Sequence, residues 1–373
     1  MENKHTIAEL KQMQSLSLES KVRMTITRIK AWVNEYGEDG VSISFSGGKD
    51  STVLMDIIRN EMGMKNIPAV FVDVPTQFPE LRDFVKTWEN VEILKPKISF
   101  LEVCEKYGFP LISKEVSDAV FGARKNFEQI RKAANIEDAD NFDADYLYKI
   151  IKEKGTPPIR VASLWGDVPH KEKGILTNEK SKRYDFSKYK FFIEAQFAIS
   201  SRCCNEMKKK PLHEYQNKTQ RHPITAQMAE ESQLRTTQWL IHGCNGFNMK
   251  IPISNPMSFW TEQDILQYIK TRNLPICSVY GDVVVDHEAM GEMAGQSFLF
   301  ETGSEPLKTT GCKRTGCMLC GFGCHLNDDN RFIQLKETHP KMYNLLDVCK
   351  NNGVTFREAI EWTNEHGNLN IKL

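Results

Sequence analysis

No stretch of this 373-residue sequence approaches the roughly 18 consecutive apolar residues of a membrane span. Excess charge of either sign is also missing, since 49 Lys and Arg stand against 49 Asp and Glu. A neutral total removes any global electrostatic pull toward nucleic acid, so a nucleic-acid partner would need a local basic patch. Internal repeats and low-complexity tracts are absent from the sequence, which excludes collagen-like and disordered classes. The N-terminal residues MENKHTIAELKQMQ hold no apolar run suited to a signal peptide, so a cytoplasmic location with no membrane partner is expected. The 40% share of hydrophobic residues is that of a soluble globular protein. At roughly 100 to 200 residues per domain, the length predicts two domains or one enlarged α/β domain.

Cysteine is the residue type that departs from average use. Six of the ten fall in two tight groups, Cys203 with Cys204, and Cys312, Cys317, Cys320 and Cys324. In a reducing compartment such clusters read as metal ligands or redox groups rather than disulfides. The scattered Cys104, Cys244, Cys277 and Cys349 read as small buried hydrophobes.

Apolar residues at helical spacing (Ile7, Leu10, Met13 and Leu16, then Val22, Ile26, Ile29, Trp32 and Val33) predict one or two docking helices over residues 1–36. Strands and helices then alternate: VSISFS, a helix from about Ser51 to Glu61, AVFVDV, a helix from about Glu80 to Asn90, and VEILKP. That alternation predicts an α/β fold with a doubly wound, mostly parallel sheet in a domain over 37–280. Within it, the charge-rich residues 115–190 read as a largely helical insertion. Its KSKRYDFSKYKFF stretch, with Arg160, Lys171 and Lys173, forms a basic and aromatic cluster suited either to a nucleic-acid strand or simply to solvent. A second strand and helix set runs from PIT, at 223–225, to about residue 273. A polar loop follows Ser278, and 281–373 is expected to form a Cys-cluster segment ending in two helices.

The segment from Ser42 to Ser51 reads SISFSGGKDS. Two glycines between an apolar strand and a helix start let backbone N–H groups approach a phosphate. Ser46 and Ser51 offer hydroxyls, Ser44 stands at the strand end, and Lys49 supplies positive charge. Asp50 suits either a helix cap or a phosphate-bound Mg²⁺ ion. The spacing is not that of a Walker loop. The string resembles the SGGxDS pyrophosphate loop of the adenine nucleotide alpha hydrolases at Ser46, Gly47, Gly48, Asp50 and Ser51. The resemblance implies that the loop grips the phosphates of ATP, whose alpha phosphate is attacked to give an adenylated intermediate and pyrophosphate.

A narrower resemblance, to the phosphoadenosine phosphosulfate reductase superfamily, covers about residues 35–325. Val72 to Glu80 (VDVPTQFPE) is similar to that family's DTGxxFPET, with Asp73 as the matching acid and Thr76 and Glu80 facing the same crevice. Ser113-Lys114 ends the third strand unit. Ile224-Thr225 through Glu231-Ser232 to Arg235 is similar to ITGxRxxESxxR, and Trp260 to Tyr280 follows the family's W…D…YI…LP…Y run. Asp73, Glu231 and Arg235 are thereby implied to lie near the nucleotide. Read without the family, Asp73 is a loop acid and Glu231 with Arg235 a surface pair at i, i+4. Two departures stand out. The family's Gly and Arg in ITGxR are Ala226 and Met228, and no ECGLH tail is present. Simple sulfate reduction is therefore less expected than use of ATP.

Cys203-Cys204 followed by Lys208, Lys209, Lys210, Pro211 and Leu212 resembles the vicinal pair of the iron-sulfur sulfonucleotide reductases, where a distant Cys-x-x-Cys completes one 4Fe-4S cluster. Cys317 and Cys320 match that second half. A competing set comes from the spacing Cys312-x4-Cys317-x2-Cys320-x3-Cys324, whose x4, x2 core equals a plant-type ferredoxin start. DNA phosphorothioation ATP pyrophosphatases combine a similar loop with an iron-sulfur cysteine cluster. Four thiolates also suit zinc. Cys203, Cys204, Cys312, Cys317 and Cys320 thus compete for four ligand positions, with Cys324 a sixth candidate. A spare thiolate, first Cys203 or Cys324, becomes a candidate nucleophile or persulfide carrier beside the nearby lysines, with His325 as a helper or a mere surface group.

The expected function is adenylation of an acceptor by ATP, with Lys49 and Asp50 at the phosphates and Cys203 in sulfur chemistry. Expected partners are an adenosine nucleotide, a cysteine desulfurase-like or thioredoxin-like donor, and a nucleic-acid acceptor. The alternatives are a sulfonucleotide reductase releasing sulfite and a non-catalytic nucleotide and redox sensor.

Overall fold

Parallel strands are covered on both faces and are therefore apolar along their length. In a computed structural model of the chain, which describes residues 3–133, 143–172, 175–289, 305–326 and 329–373, strand β1 (Val41–Ser44) is covered on both faces, although serines alternate with its apolar residues. Its Val41 and Ile43 are fully buried, as are Ala69 of β2 (Ala69–Val72) and Ile224 of the strand His222–Ile224. Together with β3 (Val91–Leu94), Ile253–Ser254 and Asn245–Gly246 they make a six-stranded sheet in the order β3, β2, β1, His222–Ile224, Ile253–Ser254, Asn245–Gly246. The pairings are parallel except the last. The register sets Ile43 beside Ala69 on one side and Ile224 on the other. The chain leaves β1 toward β2 on one side and later returns to its other side, so the end of β1 is a topological switch point, where open α/β sheets bind ligands.

The chain divides into two units, each assembled from two stretches. One comprises Met1–Lys95 and Pro211–Gly316, the other Pro96–Lys210 and Cys317–Leu373. The sheet belongs wholly to the first. Helices Ile7–Gln14 and Leu18–Tyr36 realise the expected docking segment. Ile29 and Trp32 of the longer helix enter one core with Ile43, Phe71, Trp260 and Tyr268. Two polar pairs lie within that core: Trp260 Nε1 donates to Thr25 Oγ1 at 2.9 Å, and Tyr268 OH to Asp56 Oδ2 at 2.7 Å. Lys21, only 2% exposed, meets Asp264 at 2.6 Å.

The second unit holds the insertion. Helices Lys114–Ala133, Ala144–Lys154 and Ile159–Ser163 match its helical reading, but Pro169–Glu172 and Ile175–Lys180 form an antiparallel hairpin that the charge-rich pattern concealed. The first closing helix is broken into Arg331–Thr338, Pro340–Tyr343 and Leu345–Val348, because Pro340 cannot continue a helix and starts a new one. The second, Phe356–Gly367, is continuous and capped by Thr355. Phe109 and Phe356 stack at 4.7 Å in this unit's core. Lys173 and part of the polar loop after Ser278, at 290–304, lie outside the described residues. Among the described residues no helix is long and apolar enough to cross a membrane.

Lys21→Ala leaves Asp264 buried without its cation, which costs about 3–5 kcal/mol. The expected outcome is a lower urea midpoint for the sheet-bearing unit, read by intrinsic tryptophan fluorescence, with Asp264→Asn on the same background recovering part of the loss.

Candidate functional site

At the switch point the chain turns from β1 into helix Lys49–Asp56 through Phe45-Ser46-Gly47-Gly48. Gly47 has φ of +72°, and a Cβ there would lie 3.0 Å from Val85 and 3.2 Å from Leu81, so both conformation and space require glycine. Ser51 Oγ ties the turn together: it donates to Gly48 O at 2.9 Å, accepts from Ser46 N at 3.2 Å and meets Ser46 Oγ at 3.1 Å. Gly48 N reaches Ser46 Oγ at 3.3 Å. Ser46, Gly47, Gly48 and Ser51 thus form one hydrogen-bonded turn at a helix N-terminus, the arrangement in which backbone N–H groups and the helix dipole favour an anion.

Charge is concentrated at the start of this helix. Lys49 is 3% exposed, and its Nζ donates to Lys313 O at 3.2 Å and stands 3.2 Å from Glu262 and 3.6 Å from Asp50. Burial pushes the Asp50 carboxyl above the ordinary carboxylate range, against the pull of Lys49. Asp50 Oδ1 is buried without a hydrogen-bond partner. A buried acceptor beside an anion cradle suits a divalent cation shared with a phosphate. Ser44 ends the central strand, partly buried.

The other nucleotide candidates occupy loops of the same unit. Asp73 follows β2 and accepts from Arg82 Nε at 2.7 Å. Thr76 is buried, and Glu80 opens helix Pro79–Lys86. Glu231 accepts from Met228 N at 3.1 Å and forms an ion pair with Arg235. The charge of Asp50 is felt at Arg235, where burial lowers the guanidinium pKa. Cys312 also belongs here, its thiol raised first by burial and then by Glu80. Several participants have no mark in a single motif: Glu262, Tyr280 (whose OH accepts from Lys49 N at 3.2 Å), Lys313, Arg314 and Thr315. Tyr280 ends the family-like run, which was the available signal for it.

The remaining cysteines of the two groups lie in the second unit. Gly108 allows the approach that places Cys203 and Cys204: a Cβ there would be 2.0 Å from Ala198 O. Phe109 N donates to that carbonyl at 2.9 Å, and Ser200 N returns to Phe109 O at 3.0 Å. The strand Gly321–Phe322 pairs in parallel with Leu111–Ile112, fixing the Cys317-x-x-Cys320 turn, in which Cys320 N donates to Cys317 O at 3.1 Å. The thiols of Cys203, Cys204, Cys317 and Cys320 interact electrostatically. Cys203 keeps its proton and hydrogen-bonds Cys204; that bond, opposed by burial and helped by Lys114, Lys208 and Lys209, holds the Cys204 thiol below its ordinary range. Burial works against the charge of Lys208, but the neighbouring Cys317 and Cys204 outweigh it and raise its pKa. Cys324 is 1% exposed, donates to Cys320 O at 3.4 Å, and is pushed up to about 12 by burial. His325 meets Tyr189 OH at 3.2 Å, and burial lowers its pKa.

Among the described residues no group of three or more His, Cys, Asp or Glu side chains converges as a single metal ion requires. A cluster whose irons lie apart takes its thiolates further from one another. The donor set suits such a cluster, being four thiols with the half-buried Lys208 to balance their negative charge. Cys104, Cys244, Cys277 and Cys349 are buried, as the scattered positions imply. In the basic and aromatic cluster, Lys180 is paired with Asp167 and Lys190 with Asp145.

Sheet and loop together are those of a mostly parallel α/β protein whose glycine turn stands at the switch point. The family described as phosphoadenosine phosphosulfate reductase domain matches residues 40–146 and 168–321, and the chain belongs to it. The family is one of nucleotide-related enzymes in sulfur metabolism. A crystal structure of phosphoadenylyl-sulfate reductase from Candida auris, in complex with phosphate, is similar at 13% identity and a TM-score of 0.31, covering 74% of this chain and 92% of that one. No curated protein matches the chain.

Two outcomes are expected. Gly47→Ala forces a left-handed conformation costing about 1–2 kcal/mol on an alanine and abolishes nucleotide binding measured by isothermal titration calorimetry. In metal-free protein, iodoacetamide labels Cys204 ahead of Cys203 and Cys324. Its rate rises with pH, as the thiolate forms, through a midpoint below the ordinary value of about 8.5, read by mass spectrometry.

Proposed function

We propose that this chain is an ATP-using member of its family that adenylates an acceptor, releases pyrophosphate and supports sulfur transfer to the activated position. The observation that carries this reading is the turn Ser46-Gly47-Gly48 with buried Lys49 and the orphaned Asp50 Oδ1, a site equipped for several phosphates and a cation rather than one. An acceptor oxygen attacks the alpha phosphorus, the bond to the bridging oxygen breaks, and pyrophosphate leaves with the electron pair. Loop N–H groups and Lys49 stabilise the charge that grows on the leaving group. Asp50 would hold Mg²⁺, which supplies further neutralisation of phosphate charge when bound. Asp73, Glu231 and Arg235 line the same strand ends and are proposed to position the nucleoside.

Cys203, Cys204, Cys317 and Cys320 would hold a 4Fe-4S cluster, which supplies a soft sulfur or electron centre; zinc is the alternative for the same thiols. Cys312 stands outside this proposed set, with Glu80 in the loop-bearing unit. When no metal is bound, Cys204 rather than Cys203 or Cys324 carries the reactive thiolate. A persulfide donor of the cysteine desulfurase class would bring sulfur and a thioredoxin-like protein electrons. An acceptor in a nucleic acid fits the exposed basic and aromatic residues Arg183 and Tyr184, which stack at 5.3 Å. A cytoplasmic, reducing location fits these thiols.

A second reading, a sulfonucleotide reductase, is favoured by the family description. There a cysteine thiolate attacks the sulfur of an adenylylated sulfate, AMP leaves, and a second thiol releases sulfite. Pyrophosphate release from ATP with candidate acceptors, against sulfite release from adenylylated sulfate with reduced thioredoxin, separates the two. The expected result is pyrophosphate, reduced about 100-fold or more by Lys49→Ala through loss of electrostatic stabilisation; sulfite without pyrophosphate overturns the first reading. Iron and sulfide analysis of protein purified without oxygen is expected to give a brown cluster in wild type that is lost in both Cys204→Ser and Cys320→Ser. Zinc alone would remove the redox part.

A further inference from the structure

Met228 occupies the position at which the family pattern carries arginine, and it is 3% exposed in the apolar core. It cannot meet an anion, so the cradle has to find its cation elsewhere. Two cations already stand at the loop, and both are engaged: Lys49 by Glu262 and Asp50, and Arg235 by Glu231. A third arrives on residues 312–316. The residues on either side of Arg314 are tied to the loop. On one side Lys313 O accepts from Lys49 Nζ at 3.2 Å. On the other, Thr315 Oγ1 bonds Tyr280 OH at 2.8 Å, and that same hydroxyl accepts from Lys49 N at 3.2 Å. Thr315 Oγ1 also lies 3.5 Å from where a Cβ on Gly48 would stand. Arg314 is thus held over the glycine pair while its side chain is exposed, and among the described residues no carboxylate lies within ion-pair distance of it. Its charge is felt at Asp50, Glu230 and Arg235.

We propose that Arg314 is the phosphate-binding residue that makes this loop select a nucleoside triphosphate over a monophosphate, its guanidinium engaging the phosphates beyond the first. The inference rests on the ATP reading above and adds to it a specificity determinant that no motif of the family supplies. A guanidinium is suited to the task because its planar fork bonds two phosphate oxygens at once, whereas an ammonium makes a point contact. The anchors at the Lys313 carbonyl and the Thr315 hydroxyl do not involve the Arg314 side chain, so its charge can be removed without releasing the segment.

The test is isothermal titration calorimetry of the full chain with ATP, ADP and AMP, each with Mg²⁺, on wild type, Arg314→Ala and Arg314→Lys. Arg314→Ala is expected to weaken ATP binding by about 10-fold or more, the scale of a lost charge-assisted hydrogen bond, while AMP binding changes less than about twofold. Arg314→Lys is expected to fall between, because it keeps the charge without the fork. An unchanged circular dichroism melting curve excludes misfolding as the cause. Equal losses for ATP and AMP, or no loss for either, overturn the assignment and leave the ATP reading standing. Wild type that binds AMP but not ATP overturns the triphosphate reading itself, and the role of Arg314 with it.

Discussion

Gly47 holds φ at +72° with Val85 and Leu81 packed against the space a side chain would need. That single backbone reversal lets the central strand end, the helix Lys49–Asp56 begin, and the helix Pro79–Lys86 close on the turn from one side. The rest of the loop follows from it. Ser51 can reach back to Ser46 and Gly48 because the reversal brings its turn of helix over the strand end, and Lys49 is driven inward at the same point. The apolar face of helix Leu18–Tyr36 and the Trp260–Tyr268 region stabilise the sheet that presents the turn.

Electrostatics then shape what the turn can hold. The chain as a whole is neutral, yet cations and carboxylates are gathered around one helix start, with Lys49, Arg235 and Arg314 set against Asp50, Glu231 and Glu262. Burial alone would drive such groups toward their neutral forms. Lys49 is surrounded by two carboxylates and a carbonyl. Asp50 retains an unsatisfied oxygen, the kind of group that persists where a ligand is expected to complete the shell. A phosphate chain with its magnesium ion would satisfy the cations and Asp50 together.

Much of this was legible in the sequence where the physics is local. The string SGGKDS announces a strand, a reversal and a helix start because glycine conformation and hydroxyl capping act within ten residues. The alternating strands, the parallel sheet and the four scattered buried cysteines follow from composition and period. What stayed hidden depends on partners far away in the chain. Nothing near Lys49 points to Lys313 or Glu262, and nothing near Gly48 points to Thr315. Cys312 and Cys317 are five residues apart, yet the boundary between the two units falls at Gly316, a division that their spacing does not announce. The vicinal pair was visible as a pair, but which sulfur keeps the proton depends first on the hydrogen bond between the two and then on Lys114, Lys208 and Lys209. The hairpin at 169–180 was masked by charged residues whose side chains give no period.

The account stands on the claim that the loop is a cradle for a chain of phosphates. Phosphorus-31 NMR of ATP titrated with the protein, with and without Mg²⁺, tests that claim at the atoms concerned. Shifts and broadening of the beta and gamma resonances, sensitive to Mg²⁺, are the result the account requires. Unperturbed phosphate resonances alongside shifted adenine protons would contradict it.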